Sequence, residues 1–202
     1  MTTVIMDYGM GNLRSVQKGI EETGHEAQIS GDPTTVQQAD VLIVPGVGAF
    51  DRAVENIKEN DLWSVTLKHL ANSNPYLGIC LGFQLLFEGS QEGTREGFGH
   101  FSGQCRRFRD VSPIPHMGWN EVEWVNNGLR YDPQRSDSPC YYFVHSYFPE
   151  PENETIAAGW TDYGSSFCSA VAQDSILGVQ FHPEKSQYAG LNLLSTYLKQ
   201  YT

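Results

Sequence analysis

Strand-like and helix-like patterns alternate along the first 80 or so residues of the chain. Short apolar runs have the length of buried strands, and segments with apolar residues at helical spacing follow them. The predicted strands cover residues 3–6, 39–44 and 76–80, and the predicted helices cover residues 13–22, 49–60, 62–72 and 81–88. This alternation is typical of parallel βαβ units, whose helices cover both faces of the sheet. We therefore expect an α/β fold with a mixed, mostly parallel central sheet flanked by helices on both faces.

The pattern changes in the second half of the chain, where glycine and aromatic residues become frequent. Five short β-like runs follow one another at residues 103–108, 119–124, 141–148, 155–160 and 167–172. Such a series predicts antiparallel hairpins that continue or flank the sheet. A last apolar run at 176–181 and an amphipathic segment at 188–200 predict a final buried strand and a closing helix. Since the sequence shows no repeat, linker or low-complexity tract, we expect a single domain over residues 1–202.

Charge and cysteine content exclude several classes of protein. The 13 basic and 24 acidic residues give a net charge of −11, which argues against a nucleic-acid partner and against binding to a membrane surface. No apolar stretch reaches the length of a membrane span, and the N-terminus does not have the pattern of a signal peptide. The four cysteines are widely spaced, without a C-x-x-C pair. We expect free thiols in a cytoplasmic protein.

One of these cysteines, Cys80, lies between Gly78 and Gly82 at the predicted junction of a strand and a helix. This is the layout of a nucleophile turn, in which the chain reverses sharply and exposes the side chain at its apex. Glycines suit such a turn because backbone segments pass too close for a Cβ atom. The alternative is an inert buried cysteine, since free cysteine is among the most buried residue types. This frame alone does not choose between the two.

A second candidate group follows the last predicted strand. His182 and Glu184 stand two residues apart, separated by Pro183. Because the carboxyl ends of parallel strands share one edge of a sheet, Cys80 and His182 are expected to meet there. The imidazole can take the thiol proton and later protonate a leaving nitrogen, and Glu184 can hold its tautomer. The alternative is a turn histidine beside a solvated glutamate.

Three weaker candidates complete this edge. The glycine-rich segment 45–48 follows a buried strand, and its N–H groups together with that of Leu81 can form an oxyanion hole. A plain strand-to-helix turn is the alternative. Gln84 lies one helical turn after Cys80, where its amide either binds a polar substrate or faces solvent. Ser146 ends a β-like run and can donate a hydrogen bond at the same edge.

Metal and cofactor sites are not expected. His116 and His145 lack the spacing of metal ligands with any cysteine or carboxylate pair. The segment after the first strand, residues 7–12, lacks the full G-x-G-x-x-G pattern of a dinucleotide site.

Several motifs resemble those of a known family. Three motifs resemble those of the triad-type (class I) glutamine amidotransferases. They are G-I-C-L-G-F-Q (78–84), P-G-V-G-A-F (45–50) and F-H-P-E-K-S (181–186). Within that class, three further motifs resemble those of the amidotransferase subunits of imidazole glycerol phosphate synthase. They are D-Y-G-M-G-N-L (7–13), P-H-M-G-W-N (115–120) and Y-F-V-H-S-Y (142–147). The resemblance extends from residue 5 to about 186, so we expect no fused synthase domain.

The resemblance implies a chemistry for the candidate residues. Cys80 attacks the side-chain amide of L-glutamine, His182 protonates the departing ammonia, and water then hydrolyses the γ-glutamyl thioester. The oxyanion is held by N–H groups near three residues: Val47, Gly48 and Leu81. Gln84 and Ser146 match positions that bind the backbone groups of glutamine.

The resemblance also implies a partner. In the family, ammonia passes to a (β/α)8-barrel cyclase subunit, which uses it in histidine and purine-precursor synthesis. Asn12 and Lys185 match positions at this subunit contact, so a heterodimer is expected. Glutaminase activity in the family stays low until the partner is docked and liganded, and segment 45–48 is a candidate for the switch because glycines let a peptide flip at little cost.

Other functions share parts of this pattern. Residues 98–105 are more polar than the comparable family stretch, which leaves open a paralogue that supplies ammonia for the amidation or amidination of bacterial surface sugars. A pseudoenzyme that only regulates a partner is a second alternative, against which the intact Cys80, His182 and Glu184 argue. A γ-glutamyl peptidase would share the triad but act without a partner.

Overall fold

The computed structural model describes residues 1–125 and 140–201, which form thirteen strands and six α-helices. The strands are β1 (Thr3–Met6), β2 (Gln28–Ser30), β3 (Val41–Gly46), β4 (Tyr76–Cys80), β5 (Phe87–Ser90), β6 (Phe101–Arg107), β7 (His116–Glu121), β8 (Glu123–Trp124), β9 (Cys140–His145), β10 (Tyr147–Pro151), β11 (Ala157–Asp162), β12 (Ser166–Gln173) and β13 (Ile176–Val179). The helices are α1 (Leu13–Glu22), α2 (Pro33–Gln37), α3 (Phe50–Glu59), α4 (Leu62–Ala71), α5 (Leu81–Gln84) and α6 (Gln187–Leu198). Two 3₁₀ turns lie at Glu154–Ile156 and Pro183–Lys185. None of these helices is long and apolar enough to cross a membrane.

Eight strands form the central sheet in the order β2-β1-β3-β4-β13-β12-β11-β8. The first five in this order are parallel to one another, and the last three continue the sheet in antiparallel fashion. Two smaller sheets, β10-β6-β5 and β7-β9, carry the remaining strands. The structure confirms the predicted mixed, mostly parallel sheet with antiparallel strands in the second half.

The central parallel strands are buried on both faces, as their continuous apolar sequences require. Alternate side chains of a strand point to opposite faces. Val4 and Met6 therefore join the core that contains apolar residues of α2, α3 and α4, and Ile5 joins the core beneath α1 and α6. Full burial of each such side chain stabilises the fold by about 1.5–3 kcal/mol.

The parallel strands bring distant loops to one edge of the sheet. Strands β1, β3, β4 and β13 run in the same direction, so the segments after their carboxyl ends lie side by side. The segments after β1, β3 and β13 carry residues 7–12, Val47 and Gly48, and His182, respectively, and Cys80 is the last residue of β4. The fold therefore gathers most candidate residues where α/β proteins bind ligands.

Three predicted elements differ from the structure. The strand predicted for residues 119–124 is parts of two strands in different sheets, since β7 pairs with β9 and β8 pairs with β11. The helix predicted for residues 81–88 ends at Gln84, and Phe87–Ser90 instead forms a strand parallel to β6. Phe87 is fully buried there between aromatic neighbours, because its tertiary packing outweighs the local helical pattern. The strand predicted for residues 141–148 is two strands that separate at Ser146, since β9 pairs with β7 and β10 pairs with β6.

Candidate active site

Cys80 occupies a sharp turn between β4 and α5. Its backbone has φ 55° and ψ −104°, a conformation that costs a non-glycine residue about 1–3 kcal/mol. The flanking glycines make the turn possible. A Cβ atom on Gly82 would overlap the carbonyl oxygen of Val44, and one on Gly78 would lie 2.6 Å from the Gly82 carbonyl oxygen. Strain held in place by such close packing is typical of a functional position.

The turn after β13 presents His182 and Glu184 as a buried pair. The ring Nδ1 of His182 lies 2.8 Å from Glu184 Oε1, and the two side chains are only 3% and 1% exposed. Burial lowers the pKa of His182, but its interactions with Cys80 and Glu184 outweigh this and raise the pKa to about 10. The imidazole is therefore protonated at neutral pH.

Helix α1 supports Glu184 from behind. A Cβ atom on Gly19 would lie 3.3 Å from Glu184 Cβ and 3.4 Å from its Cα, so the helix approaches this residue as closely as a glycine allows. The second carboxylate oxygen, Oε2, is buried without a hydrogen-bond partner among the described residues. Packing against α1 therefore fixes the carboxylate on the side away from His182.

A glutamine that the sequence analysis did not identify contacts Cys80. Gln180 is fully buried, and its Nε2 donates to Cys80 Sγ over 3.5 Å. Its Oε1 accepts from Gln84 Nε2 at 3.1 Å. The signal in the sequence is a lone polar residue within the apolar run 176–181, since a buried amide requires hydrogen-bond partners.

Gln84 faces the protein interior and not bulk solvent. It is 5% exposed, and its Nε2 donates to both Gln180 Oε1 and the Tyr147 carbonyl oxygen, the latter over 3.0 Å. Both N–H groups of the amide are therefore used within the protein. The group that this amide offers to a ligand is its oxygen, Oε1.

A cavity of 470 Å³ lies in front of Cys80. Its lining includes six of the candidate residues: Val47, Gly48, Cys80, Leu81, Gln84 and Ser146. Glu92 and His145, which the sequence analysis did not assign to the site, also line it. The volume falls within the range of about 300–1,000 Å³ that small-molecule sites occupy. His182 and Glu184 do not line this cavity; they approach Cys80 from the side of β13.

The segment after β3 forms one rim of the cavity. Gly48 has φ +105°, in the region that favours glycine, and Val47 is 41% exposed. The carbonyl of Pro45 accepts a hydrogen bond of 2.9 Å from the hydroxyl of Tyr8, which is fully buried. Burial and the charge of Cys80 raise the pKa of Tyr8, so its hydroxyl keeps its proton and remains a donor.

Glu92 places a carboxylate in the cavity lining, beside the segment that leads into α3. Its Oε2 accepts from the backbone N–H of Phe50 at 2.8 Å, at the N-terminus of α3. A negative charge is favoured at that position by the unpaired N–H groups of the helix. The sequence gives little signal for this role, because Glu92 lies in a loop that reaches the cavity only through the tertiary fold.

Asn12 and Lys185 lie at the same edge of the sheet but outside the cavity lining. Asn12 is exposed at the start of α1, and Lys185 Nζ lies 5.9 Å from the centre of the Tyr142 ring. Both side chains are thus placed beside the site and do not face the cavity.

Metal ligands do not cluster in the part of the chain that the structure describes. No three histidine, cysteine or carboxylate side chains there are close enough together to hold a metal ion. His116 and His145 do meet, at 3.0 Å, but through a hydrogen bond between their rings.

Comparison with protein families identifies the chain. The model of the family described as glutamine amidotransferase class-I matches residues 4–197. The chain belongs to the class-I glutamine amidotransferases. It is therefore a glutamine amidotransferase enzyme, as the motifs around Cys80, His182 and segment 45–48 predicted.

Curated amidotransferase relatives place the chain more finely. It is 44% identical to the imidazole glycerol phosphate synthase subunit HisH of Syntrophotalea carbinolica over 96% of this chain and 98% of the relative. It is also 44% identical to the HisH subunit of Aquifex aeolicus, over 99% of this chain and 97% of the relative. The similarity to this subunit family, predicted from the second set of motifs, is confirmed.

Solved structures agree with the amidotransferase fold. One crystal structure of a glutamine amidotransferase matches with a TM-score of 0.78 over 100% of this chain and 99% of that chain, at 16% identity. A putative GMP synthase subunit from Thermoplasma acidophilum matches with a TM-score of 0.68 over 98% of this chain and 92% of its own, also at 16% identity. At these identities the similarity shows the fold alone.

Proposed function

We propose that this chain is the glutaminase subunit of an imidazole glycerol phosphate synthase. It hydrolyses L-glutamine to glutamate and ammonia, and passes the ammonia to a (β/α)8-barrel cyclase subunit that makes imidazole glycerol phosphate and AICAR in histidine biosynthesis. The supporting observation is the 44% identity to synthase subunits over nearly the whole of both chains. We also propose that residues 1–202 form one glutaminase domain and work in the cytoplasm as half of a heterodimer.

Acylation begins with the thiolate of Cys80. Its sulfur attacks the carbonyl carbon of the glutamine side-chain amide, and the resulting oxyanion accepts hydrogen bonds from backbone N–H groups at Val47, Gly48 and Leu81. His182, protonated because its pKa is about 10, gives a proton from Nε2 to the amide nitrogen. The carbon–nitrogen bond then breaks, which releases ammonia and leaves a γ-glutamyl thioester on Cys80.

Deacylation reverses the roles of the same groups. Neutral His182 takes a proton from water, the hydroxide attacks the thioester carbonyl, and the carbon–sulfur bond breaks to release glutamate. Cys80 leaves as the thiolate while His182 keeps the proton, so the starting state is restored. Glu184 holds Nδ1 throughout, which keeps Nε2 in place for both transfers.

Recognition of glutamine follows from the polar groups around the cavity. The α-ammonium group meets two acceptors, Gln84 Oε1 and the Glu92 carboxylate, since the Gln84 N–H groups are already used. The hydroxyl of Ser146 is a donor for the α-carboxylate. These contacts hold the backbone groups of the substrate while its side chain extends toward Cys80.

Ammonia release requires a sealed partner, because free ammonia is protonated or lost in water. Exposed apolar side chains lie near Lys185 and the cavity: Val47 lines the cavity, and Trp119 contacts the ring of Tyr142, which is next to Lys185. Exposed apolar and aromatic residues mark protein–protein contacts. We place the cyclase subunit on this surface.

The decisive experiment measures glutamate release by the purified chain alone and in the presence of the cyclase subunit with its ribonucleotide ligand. We expect the rate to rise steeply on addition of the liganded partner. An unchanged rate would count against the subunit role and favour a hydrolase that acts alone.

A growth test distinguishes the pathways. Expression of the chain in cells that lack the amidotransferase subunit of the histidine pathway should restore growth without histidine. Failure to do so, with an active glutaminase, would favour the surface-sugar role. The curated relatives described above are synthase subunits, which favours the histidine pathway.

A further inference from the structure

We propose that His116 and His145 form a hydrogen-bond relay that positions Gln84 for substrate binding. The two histidines are positioning residues for the glutaminase reaction and do not themselves contact the reacting atoms. This inference rests on the proposed function, because it concerns how the same cavity recognises glutamine.

The relay consists of three consecutive hydrogen bonds in the protein interior. His116 Nδ1 lies 3.0 Å from His145 Nε2, and His145 Nδ1 lies 2.8 Å from the carbonyl oxygen of Tyr147. The same carbonyl oxygen accepts from Gln84 Nε2 at 3.0 Å. The two histidines are 3% and 6% exposed. Water therefore cannot readily replace these hydrogen bonds, and a ring nitrogen that loses its partner stays buried without one.

The partners of each ring nitrogen determine the tautomers. A carbonyl oxygen only accepts, so Nδ1 of His145 carries the proton and Nε2 of this neutral ring accepts. His116 must then donate from Nδ1. Burial lowers the pKa of His116 to about 4 and that of His145 to about 3, so both rings are neutral at physiological pH.

The far end of the relay is fixed by Asn120. Its Oδ1 accepts from the backbone N–H of Glu121 at 2.8 Å, which sets the orientation of the amide. Its Nδ2 then donates to the Asp162 carbonyl oxygen at 2.8 Å and to His116 Nε2 at 3.2 Å. The donors of Asn120, His116 and His145 therefore point from β7 toward the Tyr147 carbonyl, and Gln84 donates to the same carbonyl from the cavity side.

The relay acts on the orientation of the Gln84 amide. A fixed Tyr147 carbonyl holds Gln84 Nε2 inside the protein, so that Oε1 faces the ligand. Tyr147 lies in β10, which pairs with β6, and Gln180 Oε1 accepts the other Gln84 N–H, so the relay adds to an orientation that these contacts also support. If the relay is lost, the amide is held less firmly and can rotate so that its N–H groups, which repel the substrate ammonium, face the ligand. Loss of the relay should therefore weaken glutamine binding and leave the chemistry at Cys80 intact.

The position of the relay in β7 connects it to the surface. His116 and Asn120 lie on the inner face of this strand, while Met117 and Trp119 on the outer face are 59% and 49% exposed. A protein that contacts the outer face of β7 therefore contacts the same strand that carries His116 and Asn120 of the relay.

A matched pair of substitutions tests the inference. Asparagine and glutamine both replace histidine at similar size, but the asparagine amide reaches the position of Nδ1 and the glutamine amide the position of Nε2. His145→Asn keeps the donor to Tyr147, and His145→Gln removes it. We expect His145→Gln to raise KM for glutamine about tenfold with kcat changed by less than about threefold, as loss of one buried hydrogen bond of about 1.4 kcal/mol implies. His145→Asn keeps the contact with Tyr147 but loses the acceptor for His116 Nδ1, so its KM should rise clearly less than that of His145→Gln.

Labelling of Cys80 provides a readout that does not depend on turnover. A glutamine-shaped diazoketone should label His145→Gln more slowly than the parent, while iodoacetamide, which does not need Gln84, should label both at equal rates. Equal KM values for the two substitutions, or equal loss of both labelling rates, would overturn the relay.

A substitution at Asn120 tests the relay without changing His145, in case the His145 variants do not fold. Asn120→Asp removes the donor to His116 at a partly exposed position, and should also raise KM selectively. An unchanged KM in this variant would contradict the inference. Absence of glutaminase activity in the parent protein bound to its liganded cyclase partner would instead contradict the proposed function, so the two failures are distinguishable.

Discussion

His182 Nδ1 lies 2.8 Å from Glu184 Oε1, and neither side chain is more than 3% exposed. The deeply buried carboxylate has a charged partner within reach of its oxygen, and the pair keeps the opposite edge of the imidazole directed toward Cys80. The charge of Glu184 thus contributes to both the orientation and the protonation of His182.

Glu184→Gln should separate these contributions. The amide can still accept from Nδ1, but loss of the negative charge lowers the pKa of His182, so fewer imidazoles are protonated at neutral pH. We expect kcat for glutamine hydrolysis to fall about 10²- to 10⁴-fold, the usual contribution of acid–base catalysis. NMR titration of the imidazole should show the pKa moving down. A pKa that stays in place would remove the electrostatic role.

Gly19→Val should disturb the same carboxylate from the side of α1. The new side chain cannot fit beside Glu184, where a single Cβ atom would already lie at 3.3 Å. We expect a loss of about 1–3 kcal/mol in the free energy of unfolding, typical of overpacking, together with a lower kcat. The control is Lys18→Val on the exposed face of the same helix, which should leave kcat unchanged. Equal effects of both substitutions would indicate a general change in the helix.

Cys80→Ala should abolish glutamine hydrolysis while leaving partner binding and ammonia-dependent synthesis in place. The nucleophile is lost, but the surface around Asn12 and Lys185 is not altered. Turnover of the heterodimer with added ammonium salt measures the remaining synthase activity. Residual hydrolysis of glutamine at the parent rate would show that another group is the nucleophile.

Gly82→Ala should prevent the turn at Cys80 from forming. The added methyl would overlap the carbonyl oxygen of Val44 in β3, and backbone atoms on both sides cannot move apart without opening the sheet. We expect a loss of about 3 kcal/mol or more, measured by urea unfolding. Gly99→Ala is the control: its φ is +60°, but a Cβ atom there meets no described atom within 4 Å, so only about 1–2 kcal/mol of backbone strain is expected.

Stability should fall at mildly acidic pH because of His116 and His145. Their folded-state pKa values of about 4 and about 3 lie below the ordinary value of 6.5, so the unfolded chain binds more protons between these limits. Their contribution is complete above pH 6.5 and is lost as the pH falls, by about 1.4 kcal/mol per pH unit for each histidine. His182 acts in the opposite direction: its contribution is complete below pH 6.5 and is lost as the pH rises toward 10.

Urea unfolding of the parent and of His145→Asn between pH 4.5 and about 7 measures the effect. The variant, which lacks one of the two titrating groups, should show a shallower dependence on pH. Identical slopes would mean that His145 does not titrate as its burial requires.

The parts of the site that lie within a single motif could be predicted from the local sequence. The turn at Cys80 was predictable because Gly78 and Gly82 flank it, and the His182–Glu184 pair because it follows a buried strand. The hydrogen bonds of Gln180, Glu92 and the two relay histidines depend on which strands pair across the chain, and no local pattern encodes that choice. The helix predicted for residues 81–88 was wrong beyond Gln84 for the same reason, since Phe87 follows its distant aromatic neighbours and not its local periodicity.

The parallel pairing of β4 with β13 joins residues 100 positions apart, with Gly78 opposite Gly178. A ribosome-bound chain therefore exposes its nucleophile turn long before the strand that brings the histidine has been made. Until β13 docks, Cys80 has neither Gln180 nor His182 beside it. The contact of Cys80 with Gln180 therefore forms only after both strands have been synthesised and have paired.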